Sequence, residues 1–95
     1  MKKSVESVAE LGLVLRAVRK SSGIRIDDLA GIVGVSKQFA SDVENGKETV
    51  QMGRVLRVLS ELGVRLSVEF QDSAAEELHR LEAREKLKKA LFGNE

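Results

Sequence analysis

The chain has 95 residues and a net charge of +1, and it contains no cysteine, tryptophan or tyrosine. This length provides for one small domain with a short extension. Without cysteine, neither a disulfide framework nor a thiolate metal site can form, and the single histidine, His79, cannot build a zinc site alone. No apolar run approaches the roughly 20 residues of a membrane span, and the N-terminal MKKSVES lacks the apolar segment of a signal peptide. We therefore expect a cytoplasmic protein that contacts no membrane and holds no metal or other cofactor.

The first predicted helix begins after Ser7. Ser7 and Glu10 form the S-x-x-E pattern of a capping box, in which side-chain oxygens accept from the first backbone N–H groups. Apolar residues then recur at spacings of three, four and seven, which is typical of a helix with one buried face. Ser21, Ser22 and Gly23 end this helix.

The stretch from Gly23 to Lys47 predicts two short helices joined by a tight turn. Gly34 stands where a left-handed C-cap is needed, and glycine adopts that geometry most cheaply. Ser36 can cap the second helix, which we place at about residues 36–45. Polar side chains at the start of this helix favour a DNA-binding helix-turn-helix, and an αα-corner without a DNA role is the alternative.

A fourth helix is predicted from about Val50 to Leu62, ended by Gly63, so that residues 1–63 form a domain of four helices. Thr49 is its predicted N-cap. Residues 64–70 then alternate between apolar and polar side chains, which predicts a β-strand. One face of this strand carries the predicted dimerisation residues, Val64, Leu66, Val68 and Phe70.

A single strand leaves its backbone groups unpaired, so it needs a partner. We expect the same strand of a second subunit to pair with it antiparallel across a two-fold axis, which makes a homodimer. An extended tail packed on its own domain is the alternative. Residues 71–95 predict a charged helix, capped by Ser73, whose apolar stripe is thin. This segment is either a partly disordered, solvated tail or a segment that orders on a partner protein.

The charge distribution is weak for a nucleic-acid-binding protein. Residues 1–70 carry a net charge of +2 and residues 71–95 a net charge of −1. We expect a monomer to bind DNA poorly, so that affinity has to come from a dimer that presents two recognition helices.

Four stretches of this sequence resemble the Cro/repressor-type (XRE) helix-turn-helix family: LGLVLRAVRKSSG, LAGIVGVS, ENGK and VLRVLSELGV. The resemblance covers residues 7 to about 64, and the predicted strand directly after LGV makes the chain most similar to the HipB-like antitoxins. It implies a mainly α fold, in which a four-helix Cro/repressor-type domain is followed by one dimer-pairing β-strand and a C-terminal helix. It further implies a dimer that binds an inverted-repeat operator in double-stranded DNA, represses its own operon, and neutralises a HipA-like serine/threonine kinase toxin.

The resemblance also assigns roles to residues. Arg19 and Glu44 match a pair that ties the first helix to the recognition helix. The base-reading positions are Lys37, Gln38 and Ser41, and the phosphate-binding positions are Arg25, Ser36, Asn45 and Lys47. Each of these side chains is a solvated surface residue under the simpler interpretation.

The chain departs from the family pattern in the helix-turn-helix itself. Arg25 and Ile26 stand where the family usually has Thr-Gln, which removes a side-chain cap. Asp42 occupies a position that is often basic, where an acid repels DNA or accepts from a cytosine amino group. Because of these departures, the family pattern does not predict which DNA sequence this chain recognises.

Two other functions remain open at this stage. One is a stand-alone helix-turn-helix transcriptional regulator without a toxin partner. The other is a protein-interaction module whose helix-turn-helix no longer binds DNA, a hypothesis motivated by Asp42 and the low net charge. We do not expect an enzyme, because the sequence shows no nucleophile–base set, metal cluster or phosphate loop.

Overall fold

Short helices account for most of the chain in the computed structural model, which describes residues 1–93. Four of them match the predicted domain, and a longer helix follows it. The described elements are α1 (Val8–Ser21), α2 (Ile26–Val33), α3 (Lys37–Glu44), α4 (Met52–Glu61), a 3₁₀ turn (Asp72–Ala74) and α5 (Ala75–Phe92).

The first four helices enclose a core of aliphatic side chains, as the near absence of aromatic residues requires. Leu15 of α1, Leu29 of α2 and Val58 of α4 are its largest fully buried side chains. α3 contributes smaller residues, because it lies close to its neighbours. The buried apolar residues are Leu15, Leu29, Ala30, Val33, Ala40, Val43, Val55, Val58 and Leu59.

The turn between α2 and α3 has the geometry that the sequence predicts. Gly34 adopts a left-handed conformation with φ of 82°, and its N–H donates to the Ala30 carbonyl at 2.9 Å. Ser36 then caps α3, since its hydroxyl oxygen accepts from Phe39 N at 3.0 Å. Together these two residues end one helix and start the next within three positions, which fixes the direction of α3.

Two glycines allow α1 to approach the end of α3 very closely. A Cβ atom added to Gly12 would lie 2.5 Å from the Glu44 carbonyl oxygen and 2.7 Å from that of Val43. Gly46 has a φ of 78°, and a Cβ atom there would lie 2.6 Å from Cα of Ala9. The C-terminal half of α3 is therefore held directly against the backbone of α1.

The other caps differ in detail from prediction. Ser7 caps α1 by accepting from Glu10 N at 3.1 Å, while Glu10 accepts from Glu6 N. The predicted caps at Thr49 and Ser73 are wrong. α4 begins at Met52 and α5 at Ala75, in both cases without a side-chain cap hydrogen bond.

The predicted β-strand at residues 64–70 is wrong. The structure shows no strand anywhere in residues 1–93, and so the predicted fold class, four helices with a dimer-pairing strand, is corrected to an all-helical one. Val64 N donates to the Leu59 carbonyl at 2.9 Å. This hydrogen bond belongs to the C-terminal end of α4 and not to a ladder between β-strands. Alternating side chains are not sufficient for a strand, because a strand also needs a neighbouring backbone with which to pair.

The last helix stands away from the four-helix unit. α5 packs mainly on the 3₁₀ turn that precedes it, and none of its residues is buried. The Cα radius of gyration is 16.4 Å, against about 12 Å for a compact chain of this length. Within residues 1–93, no helix combines the length and the apolar character needed to cross a membrane.

Candidate nucleic-acid interface

A buried ion pair joins α3 to α1 on the side of α3 that faces the core. The Glu44 side chain is only 5% exposed, and Arg19 of α1 binds it with two parallel hydrogen bonds, Nε to Oε2 at 2.6 Å and Nη2 to Oε1 at 2.9 Å. Arg19 Nη1 also donates to the Ile24 carbonyl at 2.9 Å. The hydrogen bonds to Glu44 raise the pKa of the Arg19 guanidinium above its ordinary value. This pair forms as the resemblance implies, and it sets the orientation of the helix that bears the predicted base-reading residues.

Lys37, the first residue of α3, is bound to an acid of α2. Its Nζ lies 3.1 Å from Oδ1 of Asp27, and the two side chains are 66% and 47% exposed. Arg25 approaches the same carboxylate, with Nη2 3.6 Å from Oδ2. The hydrogen bond from Lys37 lowers the pKa of Asp27. Two predicted DNA-contacting cations thus share one acid at the start of α2.

Gln38 and Lys47 are joined through Asp42. Gln38 Nε2 donates to Oδ1 of Asp42 at 2.8 Å, and Lys47 Nζ lies 3.5 Å from Oδ2. Gln38 is one turn before Asp42 on α3, so the two side chains lie on the same helical face. The acid that departs from the family pattern therefore organises one base-reading and one phosphate-binding candidate.

A third set of contacts links Ser41 to α1. Asn45 Nδ2 donates to Ser41 Oγ at 3.3 Å, and Arg16 Nη2 donates to Asn45 Oδ1 at 2.6 Å. Arg16 Nε also lies 3.8 Å from Oε1 of Glu44. These bonds place a second arginine, after Arg19, beside the C-terminal end of α3.

Ser36 and Phe39 both help to hold α3 in place as well as lying near its outward face. The Ser36 oxygen is used by the cap of α3, while its O–H remains a donor. Phe39 packs against the core cluster, and the Arg54 guanidinium lies over its ring, 6.0 Å from the centroid. Phe39 is therefore a partly buried residue that packs on the core at the edge of the outward face.

The predicted site residues form two separate groups. Lys37 and Gln38 are exposed on α3 and Ser41 is half-buried there, with Asn45 and Lys47 just beyond the end of this helix and Arg25 before α2. The predicted dimerisation residues lie after α4 instead. Asp27 and Arg16 belong to the first group but were missed by the sequence analysis, because their partners come from other helices.

Comparison with known sequences places this chain in a family. The helix-turn-helix domain family matches residues 10–69. A relative from Sinorhizobium fredii (strain NBRC 101917 / NGR234), the uncharacterized HTH-type transcriptional regulator y4mF, is 43% identical over 68 residues, which cover 72% of this chain and 90% of that protein. The chain belongs to the XRE-type helix-turn-helix family of DNA-binding regulators.

Solved structures show the same fold. The chain resembles one in the structure of a HipA-HipB-O2-O3 complex with a TM-score of 0.68 and 18% identity, over 75% of this chain and all of the other. It also resembles one in a HipB-O4 20mer complex with a TM-score of 0.67 and 18% identity, with the same coverage. These similarities establish a HipB-like fold for the larger part of the chain.

Proposed function

We propose that this protein is the antitoxin of a type II toxin–antitoxin system. It acts as a dimer that binds an inverted-repeat operator, represses its own operon and neutralises a HipA-like kinase toxin. The observation that carries the DNA-binding part is the outward face of α3. This helix presents the polar side chains of Lys37, Gln38 and Ser41, and the Arg19–Glu44 ion pair fixes it to α1.

The chemistry of this face fits the major groove of DNA. A lysine at position 37 can donate to guanine, a glutamine at position 38 can form two bonds with adenine, and a serine hydroxyl at position 41 serves either base or phosphate. Asn45, Lys47 and Arg25 border this set, and phosphate contacts from such positions fix the register of a helix on the duplex. The exposed N-terminal end of α3 contributes backbone N–H groups to the same surface.

The antitoxin part is supported by the similarity to HipB in a complex that also contains HipA. At 18% identity this likeness supports a shared fold, and a shared partner is our inference. A HipA-like toxin would bind away from the DNA-facing side of α3, through α1 and α4 or through α5.

The dimer is supported by an apolar surface after α4. Val68 is 75% exposed, and Leu66 and Phe70 are about half exposed. An open groove of about 430 Å³ lies next to them, lined in part by Leu56, Leu59 and Val64. We infer that side chains of this surface meet across the subunit interface and set the distance between two α3 helices, which is about 34–36 Å for successive major grooves.

Quantitative DNA binding tests the proposal. We expect the protein to bind its own promoter region with an affinity that falls steeply as salt rises. Lys37→Ala should weaken binding about tenfold. Lys88→Ala on α5 is the matched control, because it removes the same charge far along the chain from α3. If salt has no effect, or if both variants bind as the wild type does, this chain is not a DNA-binding regulator through α3.

Recovery of partners from native cells distinguishes the antitoxin from a stand-alone regulator. A tagged protein should bring along a kinase-fold protein encoded in the same operon, identified by mass spectrometry. Recovery of promoter DNA without such a protein would favour the second candidate, a transcriptional regulator without a toxin. The observation in favour of that candidate is that the Sinorhizobium fredii relative is named as a transcriptional regulator.

A further inference from the structure

Asp42 of α3 lies between two candidate DNA-contacting residues, Gln38 on the same helix and Lys47 just beyond its end. Its side chain is 23% exposed, and its two oxygens have different partners. Oδ1 accepts from Gln38 Nε2 at 2.8 Å, and Oδ2 lies 3.5 Å from Lys47 Nζ. Lys47 on one oxygen helps to hold the carboxylate in place, while the other oxygen accepts from the glutamine.

This arrangement selects one orientation of the Gln38 amide. The two ends of a glutamine amide have nearly the same shape, but one end donates and the other accepts. An ionised carboxylate only accepts, so it can bind only the NH₂ end. Oε1 of Gln38 makes no hydrogen bond to any residue from 1 to 93, and one N–H beside it is also available.

The oriented amide matches one base better than the others. Adenine presents a donor at N6 and an acceptor at N7 in the major groove, whereas guanine presents acceptors at both N7 and O6. Oε1 of Gln38 can accept from N6 while the remaining N–H donates to N7. Guanine would require two donors, which the oriented amide cannot supply because its Oε1 only accepts.

We propose that Asp42 is a positioning residue that fixes the orientation of the Gln38 amide. As a result, α3 selects adenine over guanine at the base pair that Gln38 contacts. This inference rests on the proposed DNA binding and adds a source of specificity to it. Asp42 itself contacts no base: it acts through Gln38, while Lys47 holds it in place.

Selection from a randomised DNA library, followed by affinity measurement on the best site, tests this role. The best site should contain an adenine whose replacement by guanine weakens wild-type binding about tenfold or more. Gln38→Ala should abolish that difference and thereby identify the base pair. Asp42→Asn has the same shape, but its amide can bind either end of Gln38. We expect this variant to bind all sites somewhat more tightly and to lose most of its preference for adenine.

Two further variants separate positioning from charge. Asp42→Glu keeps an acceptor-only group and should keep the preference for adenine. Glu48→Gln removes one negative charge beside Lys47, and Glu48 forms no hydrogen bond or ion pair within the described chain. This control should raise affinity on all sites and leave the preference unchanged.

The results distinguish a failed inference from a failed function. If Asp42→Asn and Glu48→Gln both raise affinity and both keep the adenine preference, Asp42 acts through its charge alone and the proposal is overturned. A best site with guanine at the pair that depends on Gln38 would overturn it as well. If the wild type enriches no sequence, the proposed DNA binding itself fails, and the role of Asp42 fails with it.

Discussion

Lys37, which we expect to contact a base, donates to Asp27 in the free protein. Binding DNA through this lysine therefore requires the exchange of one anionic partner for another. Exposed pairs of this kind contribute little to stability, on the order of 1 kcal/mol or less, so the exchange is inexpensive. Its effect is to hold the lysine near the position from which it would reach a base.

The titration of Asp27 provides a test of this contact. Its pKa is lowered by the hydrogen bond from Lys37 and by the nearby charges of Lys37 and Arg25. The contact therefore stabilises the protein above the pKa of Asp27 in the unfolded chain, and this contribution is lost as pH falls through the lower pKa of the folded state. By NMR titration of the carboxyl group, Lys37→Ala should raise the pKa of Asp27. An unchanged midpoint would show that the contact is absent in solution.

The Arg19–Glu44 pair has a larger consequence, because Glu44 is buried. Arg19→Ala would leave a carboxylate that is 5% exposed with Arg16 as its only remaining cation within 4 Å among the described residues. We expect the free energy of unfolding to fall by about 3 kcal/mol, as measured by urea denaturation. Lys20→Ala, one position further along α1, is the control and should change it by less than about 0.5 kcal/mol. Equal effects of the two variants would contradict a structural role for the pair.

The residue-scale contacts were predictable only where a family pattern supplied both partners. Arg19 and Glu44 matched such a pattern, and the structure confirms their pairing. Asp27 and Lys37 did not, because the nine residues between them include a turn whose geometry decides whether they meet. The separate roles proposed for Lys37, Gln38 and Ser41 in DNA binding stay predictions.

At the scale of elements, the contact between α1 and α3 depends on the absence of a side chain at Gly12. An added Cβ atom would collide with backbone carbonyl oxygens, which cannot rotate away. We expect Gly12→Ala to lower the free energy of unfolding by about 1–3 kcal/mol. Chemical denaturation measures this loss of stability. The variant should also bind DNA more weakly in a separate binding assay, because α3 would be displaced.

Gly31→Ala is the matched control for this prediction. Gly31 lies within α2, and an added Cβ atom there meets nothing within 4 Å. Alanine is the better helix former, so this variant should stabilise the protein by about 0.5–1 kcal/mol. If Gly12→Ala stabilised the protein to the same extent, the close approach of α1 to α3 would be refuted.

The helices were predictable because their periodic apolar residues and their turn residues agree. The buried face of α4 was harder to predict: Val58 is fully buried, whereas Met52 and Leu56 are exposed. Apolar residues cover so much of this helix that spacing alone does not fix which ones face inward. The prediction of a strand at residues 64–70 was wrong for a different reason, because the alternation of side chains carries no information about a pairing partner.

At the scale of the whole molecule, the exposed apolar surface after α4 should determine the oligomeric state. Light scattering should give wild-type protein a mass of twice the 10.4 kDa chain. Val68→Asp places a charge on this surface and should yield monomers that bind a full operator much more weakly. Ser67→Asp adds the same charge at the adjacent position, and we expect it to remain dimeric. Monomeric wild-type protein, or a dimeric Val68→Asp variant, would rule out this surface as the interface.

α5 was predicted to form, but its environment was not predicted. It has few apolar residues, and its contacts within residues 1–93 are mainly with the 3₁₀ turn and between its own charged residues, such as Arg80 and Glu77. A sequence of this composition specifies a helix and leaves open what, if anything, packs against it. The position of α5 away from the core agrees with either a solvated extension or a segment available to a partner.

The contacts that hold α3 in place do not involve its side chains at positions 37, 38, 41 and 42: they are the close approach at Gly12, the Ser36 cap and the Glu44 ion pair. These four side chains lie outside the core. If these side chains read bases as we propose, their replacement should change which DNA is bound and should disturb folding little. New operator specificities would then be accessible by substitution at a handful of sites, both to natural divergence after gene duplication and to a laboratory library limited to these codons.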